Sequence, residues 1–155
     1  MTSEEWLKEA SDTLQPWTRE SSWPEEGRLD IVIDREAVLP AVEALVAARW
    51  GYLASIMGLD HGPGEGRMEC IYHFCRDAAV LGLRVEVGRD DPSVSSVCGP
   101  IPSASFFERE LAEMYGITVE GTPVPDKLFL PDDWPEGVYP LRKDFDMTQL
   151  EDGQD

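Results

Sequence analysis

Five prolines interrupt the C-terminal part of the chain, at positions 123, 125, 131, 135 and 140. Proline fixes φ, removes a hydrogen-bond donor and biases the preceding residue toward extended backbone, so no regular helix can run through this stretch. The stretch is nevertheless rich in apolar side chains: Leu128, Phe129, Leu130, Trp134, Val138, Tyr139, Leu141 and Phe145. A segment that is both extended and apolar must lie against a surface, either that of its own domain or that of another subunit.

The residues before these prolines predict an amphipathic helix. Ser105 and Glu108 are spaced as in a capping box, and Gly116 stands where a left-handed C-cap is expected. Arg109 and Glu113 are i, i+4 neighbours that can form an ion pair on the helix surface. The apolar side chains fall on one stripe: Phe107, Leu111, Met114 and Tyr115. We therefore expect the stripe to be buried and the charged side to meet groups of a partner.

The rest of the chain alternates strand and helix patterns. Strands are expected at residues 29–33, 52–57, 68–74 and 80–87, and residues 94–97 form a short stretch of alternating apolar side chains. Asp34 is expected to cap a helix after the first strand, with an apolar stripe made of Val38, Val42, Leu45 and Val46. This order predicts an α+β fold: a mixed, mostly antiparallel sheet with helices packed on it, followed by an extended proline-rich C-terminal tail.

The same pattern divides the chain into four parts. Residues 1–28 are expected to hold a loosely docked N-terminal helix, capped by Ser3, and an irregular connector. Residues 29–117 are expected to form the α+β core domain, and residues 118–145 the extended partner-binding tail. Residues 146–155 carry four acids and no base, which predicts a disordered acidic end.

The composition limits the partners of the chain. Its 13 Lys and Arg against 31 Asp and Glu give a net charge of −18. This charge argues against nucleic acid and anionic membranes, which are bound by clustered cations, and permits a basic protein partner. The longest uncharged run, residues 92–107, contains three prolines and does not predict membrane insertion. Three cysteines without a preceding signal peptide indicate a reducing cytoplasm.

Two clusters resemble binding motifs but favour ordinary structural roles. Cys70, His73 and Cys75 could suggest a metal protein, yet on a strand Cys70 faces away from the other two, and no zinc or iron–sulfur spacing is present. The glycine-rich residues 62–66 join two expected strands, whereas a phosphate-binding loop leads from a strand into a helix. We therefore predict a hairpin loop there and no metal site.

An enzyme is the alternative from another class, with Glu108, Glu110 and Glu113 as an acid–base cluster. Glu108 and Glu110 would lie about 200° apart on a helix, so they could not serve one small substrate. The chain contains only two histidines, and they do not suggest a catalytic triad. The residues thus predict no catalytic group, and the glutamate-rich helix is better explained as a surface that pairs with a partner.

Three motifs together resemble a known family. Residues Glu108 to Ile117 are similar to the signature of the C subunit of respiratory complex I, the proton-pumping NADH:quinone oxidoreductase. Residues Leu130 to Trp134 and Pro140 to Phe145 resemble the closing motif of that family. The departures, at Thr122, at Asp126-Lys127 and in Glu113-Met114-Tyr115, are similar to those of the homologous small subunit of energy-converting, membrane-bound nickel–iron hydrogenases. The family resemblance covers roughly residues 29–145.

The resemblance implies a non-catalytic structural subunit with no cofactor of its own. Such a subunit docks on the large subunit that carries the quinone or nickel–iron site, beside iron–sulfur subunits, at the cytoplasmic face of the cell membrane. From the residues themselves we expect Leu141 and Phe145 to be buried while Arg142 reaches a carboxylate on a neighbour. The expected interface residues are Glu108, Arg109, Glu110, Glu113, Tyr115, Leu130, Pro131, Trp134, Pro140, Leu141, Arg142, Lys143, Asp144 and Phe145.

Overall fold

A five-stranded sheet with helices on one face forms the centre of the computed structural model, which describes residues 1–151. The helices are α1 (Ser3–Leu14), α2 (Val38–Ala47) and α3 (Ser105–Tyr115). The strands are β1 (Glu20–Glu25), β2 (Arg28–Ile33), β3 (Tyr52–Asp60), β4 (Arg67–Arg76), β5 (Ala79–Gly88), β6 (Ser93–Ser95) and β7 (Thr118–Glu120). All four strands that the sequence predicted are present, as β2 to β5.

The strands of the main sheet are arranged in the order β1-β2-β5-β4-β3. The β2–β5 pair is parallel, and the other neighbouring pairs are antiparallel. β6 and β7 form a separate parallel pair. The predicted α+β class, with a mixed and mostly antiparallel sheet, is therefore confirmed.

The helices cover the apolar face of the sheet. Side chains alternate along each strand, and the register places Ile31, Leu83 and Tyr72 side by side on this face, each at most 1% exposed. The apolar residues of α1 that pack here are 0% exposed: Leu7, Ala10 and Leu14. Burial of apolar surface stabilises a fold by roughly 25 cal/mol per Å². The loose docking that we expected for α1 is therefore wrong.

The opposite face of the sheet is polar and its charges are paired. Asp30 and Glu69 are buried, and Arg84 donates to both carboxylates, to Glu69 at 3.0 Å and to Asp30 at 3.4 Å. His61 Nε2 lies 2.6 Å from Glu69 Oε2. Burial raises the pKa of Glu69, but the hydrogen bonds from Arg84 and His61 outweigh it and lower the pKa below its ordinary value.

The expected N-terminal connector contains a strand that the sequence pattern did not reveal. β1 pairs antiparallel with β2 at the edge of the sheet, and all six of its side chains are exposed. A strand exposed on both faces has no apolar alternation, so periodicity cannot detect it. Pro24 is tolerated in β1 because an edge strand leaves N–H groups unpaired.

Several predictions about the first two helices are wrong in detail. α1 is capped by Thr2 rather than Ser3, in a capping box with Glu5. Asp34 precedes a 3₁₀ turn that leads into α2, but its side chain makes no capping hydrogen bond. Val46 lies outside the buried stripe of α2 and is 41% exposed.

The sequence predicted the C-terminal end of α3 correctly but not its N-terminal end. A 3₁₀ turn, Pro102–Ala104, runs directly into the helix, so Ala104 takes the N-cap position and Ser105 caps nothing. The predicted capping box is therefore wrong. The C-cap at Gly116, with φ of 70°, is confirmed.

The proline-rich segment from residue 121 to residue 146 contains no helix or strand. It consists of successive turns and bends rather than one extended arm, because its polar groups bind back to the domain. The extended tail of the predicted fold is therefore not seen. Met147–Leu150 forms a short 3₁₀ turn capped by Asp146. The rest of the expected acidic end, residues 152–155, lies outside the described residues.

Candidate partner interface

Helix α3 presents two buried glutamates to two different parts of the chain. Glu108 and Glu113 are five residues apart, which places them about 140° apart around the helix. Glu108, 2% exposed, accepts from the Val97 N–H at 2.7 Å and from the Ser96 hydroxyl at 2.8 Å. The Cys98 Sγ also lies 3.0 Å from this carboxylate. Glu108 therefore fastens α3 to the loop after β6.

Glu113 fastens α3 to the proline-rich segment. Its carboxylate accepts three successive backbone N–H groups, those of Leu128, Phe129 and Leu130, at 2.9, 2.9 and 3.0 Å. Hydrogen bonds to a charged acceptor are worth about 1.5–3 kcal/mol each, more than neutral ones. One buried side chain therefore fixes the conformation of this loop.

Two cations add to this attachment, through backbone carbonyls rather than through carboxylates. Arg109 donates to the carbonyls of Asp126 and Lys127 at 2.8 and 2.9 Å. The Lys127 ammonium lies within 3.4 Å of the carbonyls of Pro131, Asp132 and Trp134. Arg109 and Glu113 thus bind the segment side by side and do not form the ion pair that their spacing suggested.

The end of the segment folds back over the C-terminus of α3. Arg142 Nε donates to the Tyr115 carbonyl at 2.7 Å, and its guanidinium carbon lies 4.5 Å from the centre of the Tyr139 ring. The Leu141 N–H donates to the Met114 carbonyl at 3.1 Å. These bonds satisfy carbonyls that the helix end leaves free. Arg142 is therefore bonded to its own chain through Nε, and contact of its guanidinium with a carboxylate of a neighbour stays a prediction.

Glycine makes this close approach possible. A Cβ on Gly116 would lie 2.5 Å from the Tyr139 ring and 2.8 Å from an Arg142 nitrogen. A Cβ on Gly58, in β3, would lie 2.6 Å from the Tyr115 ring. The helix end and the segment are consequently stacked on the sheet in layers that leave no room for larger side chains.

A buried carboxylate at the end of β3 holds the last part of the segment. Asp60, 3% exposed, accepts from Arg89 at 3.0 and 3.1 Å and from the Lys143 N–H at 2.9 Å. Arg89 also binds Asp144 at 2.6 Å. Burial raises the pKa of Asp60, but these donors and the Gly62 N–H outweigh it and lower the pKa to about 2. The same carboxylates raise the pKa of Arg89.

A groove of about 420 Å³ lies between α3 and the segment. Ala112 lines the side formed by the helix, and Trp134, Val138 and Tyr139 line the side formed by the segment. The Trp134 Nε1 donates to the Val138 carbonyl at 2.8 Å, and its ring stacks on Phe145 with a centroid distance of 6.4 Å. This part of the segment therefore has a small apolar cluster of its own.

The segment is fixed by hydrogen bonds, but its side chains are not buried. None of the residues from 120 to 151 is buried, although many are apolar. The exposed fractions of four apolar residues are 40% for Val124, 63% for Phe129, 48% for Leu141 and 67% for Met147. Apolar side chains held outward on an ordered backbone form a surface suited to contact with another protein.

The structure brings most of the expected interface residues together. Bonds between α3 and the segment involve Glu113, Arg109, Tyr115 and Arg142, whereas the Pro131 carbonyl is bound by Lys127 within the segment. Leu130, Trp134, Pro140 and Phe145 are half-buried, whereas Leu141, Lys143 and Asp144 are exposed. Glu108 lies apart, toward the loop after β6.

Glu110 is half-buried near Tyr115. Burial raises the pKa of the Tyr115 hydroxyl, and the negative charges of Glu110 and Asp60 raise it further. Sequence reasoning missed three residues of this region: Asp60, Arg89 and Phe129. Asp60 and Arg89 are far apart in sequence, and only the pairing of β3 with β4 and of β4 with β5 brings them together. The position of Phe129 between two other apolar residues concealed that it alone points outward.

The two alternative sites are not assembled. No group of three His, Cys, Asp or Glu side chains suited to a metal occurs within residues 1–151. Cys70 is buried in the core, where burial raises its pKa to about 12, while His73 and Cys75 are half-buried on the other face of β4. Glu108 and Glu113 are occupied by backbone donors on different sides of α3. The helix thus holds loops in place and presents no shared acid–base pair.

Comparison with known proteins identifies relatives in respiratory complexes. The NADH-quinone oxidoreductase C subunit of Saccharopolyspora erythraea is 34% identical, over 90% of this chain and 61% of that protein. The NAD(P)H-quinone oxidoreductase J subunit of a Synechococcus strain is 38% identical, over 77% of this chain and 68% of that protein. Formate hydrogenlyase subunit 5 of Escherichia coli is 32% identical, over 79% of this chain but only 22% of that protein. Several of these relatives are therefore considerably longer than the matched part.

Solved structures share the fold. A chain of the membrane-bound sulfane sulfur reductase, an archaeal respiratory membrane complex, superposes with a TM-score of 0.78 over 94% of this chain and 86% of its own, at 24% identity. A trypsin-resistant fragment of Nqo5 superposes with a TM-score of 0.63 over 78% of this chain and 97% of the fragment, at 28% identity. In the described part of this chain, no helix has the length and apolar character needed to cross a bilayer.

The family profile described as respiratory-chain NADH dehydrogenase, 30 Kd subunit, matches residues 31–151. This range includes the main sheet from β2 onward, α3 and the proline-rich segment. The resemblance seen in the C-terminal motifs is thereby confirmed: the chain belongs to the family of the 30 Kd subunit, also called the C subunit, of respiratory-chain NADH dehydrogenase.

Proposed function

We propose that this chain is a non-catalytic subunit of a complex I-type membrane oxidoreductase and that it docks on the large subunit through residues 118–145. The observation that carries the proposal is the exposure of apolar side chains on a segment whose backbone is fixed by α3. An unattached apolar arm would collapse or remain disordered, whereas a fixed one is pre-organised to bind. In such a complex the chain would lie at the cytoplasmic face of the membrane, next to iron–sulfur subunits.

The length of formate hydrogenlyase subunit 5 supports a close partner. A region similar to this chain makes up only about a fifth of that protein, so there it is covalently joined to a much longer polypeptide. A domain that is joined to a larger one in a relative is often bound to it without covalent linkage elsewhere. The equivalent of that longer part is, in our proposal, the large subunit with the quinone or nickel–iron site.

The substitution Leu141→Ala tests the docking surface. Leu141 is 48% exposed and its N–H bond to Met114 is kept in the alanine variant, so the melting temperature of the free chain should barely change. Association with the co-expressed, tagged large subunit should weaken by roughly tenfold, as expected for loss of a contact worth about 1.4 kcal/mol. Affinity can be measured by titrating the purified subunits.

Val46→Ala is the matched control, because Val46 is 41% exposed on α2 and far from the segment in the chain. It should leave both the melting temperature and the affinity unchanged. Wild-type affinity in the Leu141→Ala variant, with the segment still ordered, would contradict docking through this surface.

A hydrogenase-type complex is a second candidate, favoured by the likeness to formate hydrogenlyase subunit 5. The two candidates differ in the large subunit rather than in this chain. Purification of the intact complex through a tag on this chain separates them, because nickel in the product indicates a hydrogenase, whereas NADH-dependent quinone reduction indicates complex I.

A further inference from the structure

One aromatic ring stands out on the candidate interface. Phe129 is 63% exposed, while its neighbours Leu128 and Leu130 are half-buried. An exposed phenylalanine loses most of the stabilisation that burial of its ring would contribute. The loop that carries the ring is nevertheless held in a conformation that exposes it.

The hydrogen bonds of the loop show what holds it. Three N–H groups in a row, including that of Phe129 itself, point at the Glu113 carboxylate, so the backbone of residues 128–130 curves around a single buried charge. Arg109 fixes the two preceding carbonyls, and Lys127 fixes those that follow. The ring is thus mounted on a rigid loop whose polar backbone groups are occupied, and little conformational entropy would be lost on binding.

The charges around the ring indicate the chemistry of its partner. Within residues 1–151, Asp144 is the only carboxylate of the segment 121–146 that forms an ion pair. Asp126, Asp132 and Asp133 are exposed and close to Phe129 in sequence, and the nearby cations Arg109 and Lys127 bind carbonyls instead. The three exposed carboxylates outnumber these two cations, which keep their charge when they bind carbonyls, so the surroundings of the ring are net negative and favour a basic matching surface.

We propose that Phe129, presented by Glu113, is the principal anchor of the docking surface and inserts into an apolar pocket of the partner subunit that is bordered by Lys or Arg side chains. This inference rests on the proposed function, because it assumes that the segment docks. It adds the residue that dominates the contact, the residue that positions it and the character of the surface that receives it. Rigid aromatic residues surrounded by polar ones are typical of binding hot spots.

The substitution Phe129→Ala tests the anchor, with Phe106→Ala as a matched control. Phe106 is also a phenylalanine with 60% exposure, but it lies at the start of α3. We expect Phe129→Ala to weaken binding to the tagged large subunit by about 10- to 100-fold and Phe106→Ala by less than about twofold. Both variants should melt like the wild type. Equal effects of the two substitutions would overturn the proposal.

The substitution Glu113→Gln tests the positioning role. Glutamine keeps one acceptor oxygen but places an amide NH₂ where a carboxylate oxygen accepts a loop N–H. Amide exchange at residues 128–130 should accelerate, and affinity should fall. In the Phe129→Ala background, however, Glu113→Gln should cost little further affinity, since the ring that it positions is absent. Fully additive losses would show that Glu113 acts independently of Phe129.

The role of the acidic residues near Phe129 is tested by charge-removing substitutions and by the salt dependence of the affinity. Replacing Asp132 and Asp133 by asparagine should slow association and make the affinity less sensitive to salt. An unchanged salt dependence would rule out the basic pocket. The outcomes also separate this inference from the proposed function: if Leu141→Ala weakens binding and Phe129→Ala does not, docking stands and the anchor is wrong. If neither does, both fail.

Discussion

The main sheet and the proline-rich segment are held together by different kinds of interaction. In the sheet, residues such as Leu81 and Leu83 are 0% exposed and pack under the helices. In the segment no residue from 120 to 151 is buried, and order comes from side chains that bind backbone groups. Apolar burial is strong but has no direction, whereas charge-assisted hydrogen bonds fix geometry at specific points.

The difference shows how one chain can combine a stable domain with the exposed docking surface that we propose. A segment stabilised by burial would have to hide its apolar side chains. A segment stabilised by hydrogen bonds to Glu113 and Asp60 can remain ordered while apolar side chains are exposed to solvent. Phe129 and Leu141 are such side chains. If this is correct, damage to the sheet should be global and damage to the polar attachments should be local.

The largest effect is expected for Leu83→Ala. Leu83 is 0% exposed between β2 and β4 on the apolar face, so its truncation should lower the free energy of unfolding by about 2–5 kcal/mol. Urea denaturation followed by far-UV circular dichroism measures this loss. Leu141→Ala makes the same chemical change on the segment, and a comparable loss there would erase the distinction between the two regions.

An intermediate effect is expected from acid, through Asp60. Its pKa is lowered from 3.8 to about 2 in the folded chain, so its stabilisation is fully present above about pH 4 and is lost as the pH falls through about 2. This contribution is on the order of 2 kcal/mol. An NMR titration of the Asp60 carboxyl carbon should give a midpoint near 2. A midpoint near 3.8 would mean that the bonds to Arg89 and Lys143 do not persist in solution.

The smallest of these effects is expected for Gly116→Ala. The positive φ of Gly116 costs an alanine about 1–2 kcal/mol, and the added Cβ would collide with the Tyr139 ring. We expect the segment to loosen from α3, with faster amide exchange at Leu141 and Arg142, while exchange in β4 and β5 stays slow. Equal acceleration in both regions would show that sheet and segment unfold together.

The sheet could be predicted from the sequence because its interactions leave local traces. The alternation of apolar and polar side chains in β2, β4 and β5 reflects one apolar face of the sheet, and the glycine after α3 reflects a left-handed cap. The sequence of β1 shows no such alternation, since both faces of this strand are exposed. Thr2, rather than Ser3, caps α1, which shows that neighbouring capping residues cannot be ranked from spacing alone.

The candidate interface was predicted only in outline. Its motifs identified the region where α3 and the segment bind each other, but they did not distinguish residues that hold the segment from residues that are exposed. Glu113 and Arg142 look like surface charges in the sequence, yet both are used on backbone groups of the same chain. That assignment depends on how the prolines turn the segment back toward α3, which no local pattern encodes.

The two glutamates of α3 also have a mechanical consequence. Glu108 hydrogen-bonds the turn that follows β6, and Glu113 hydrogen-bonds the loop that carries Phe129. A force applied at the ring would therefore be transmitted through α3 to the turn after β6, as long as both carboxylates keep their donors. A partner that binds this ring would therefore exert its load on the folded domain rather than on a flexible segment alone.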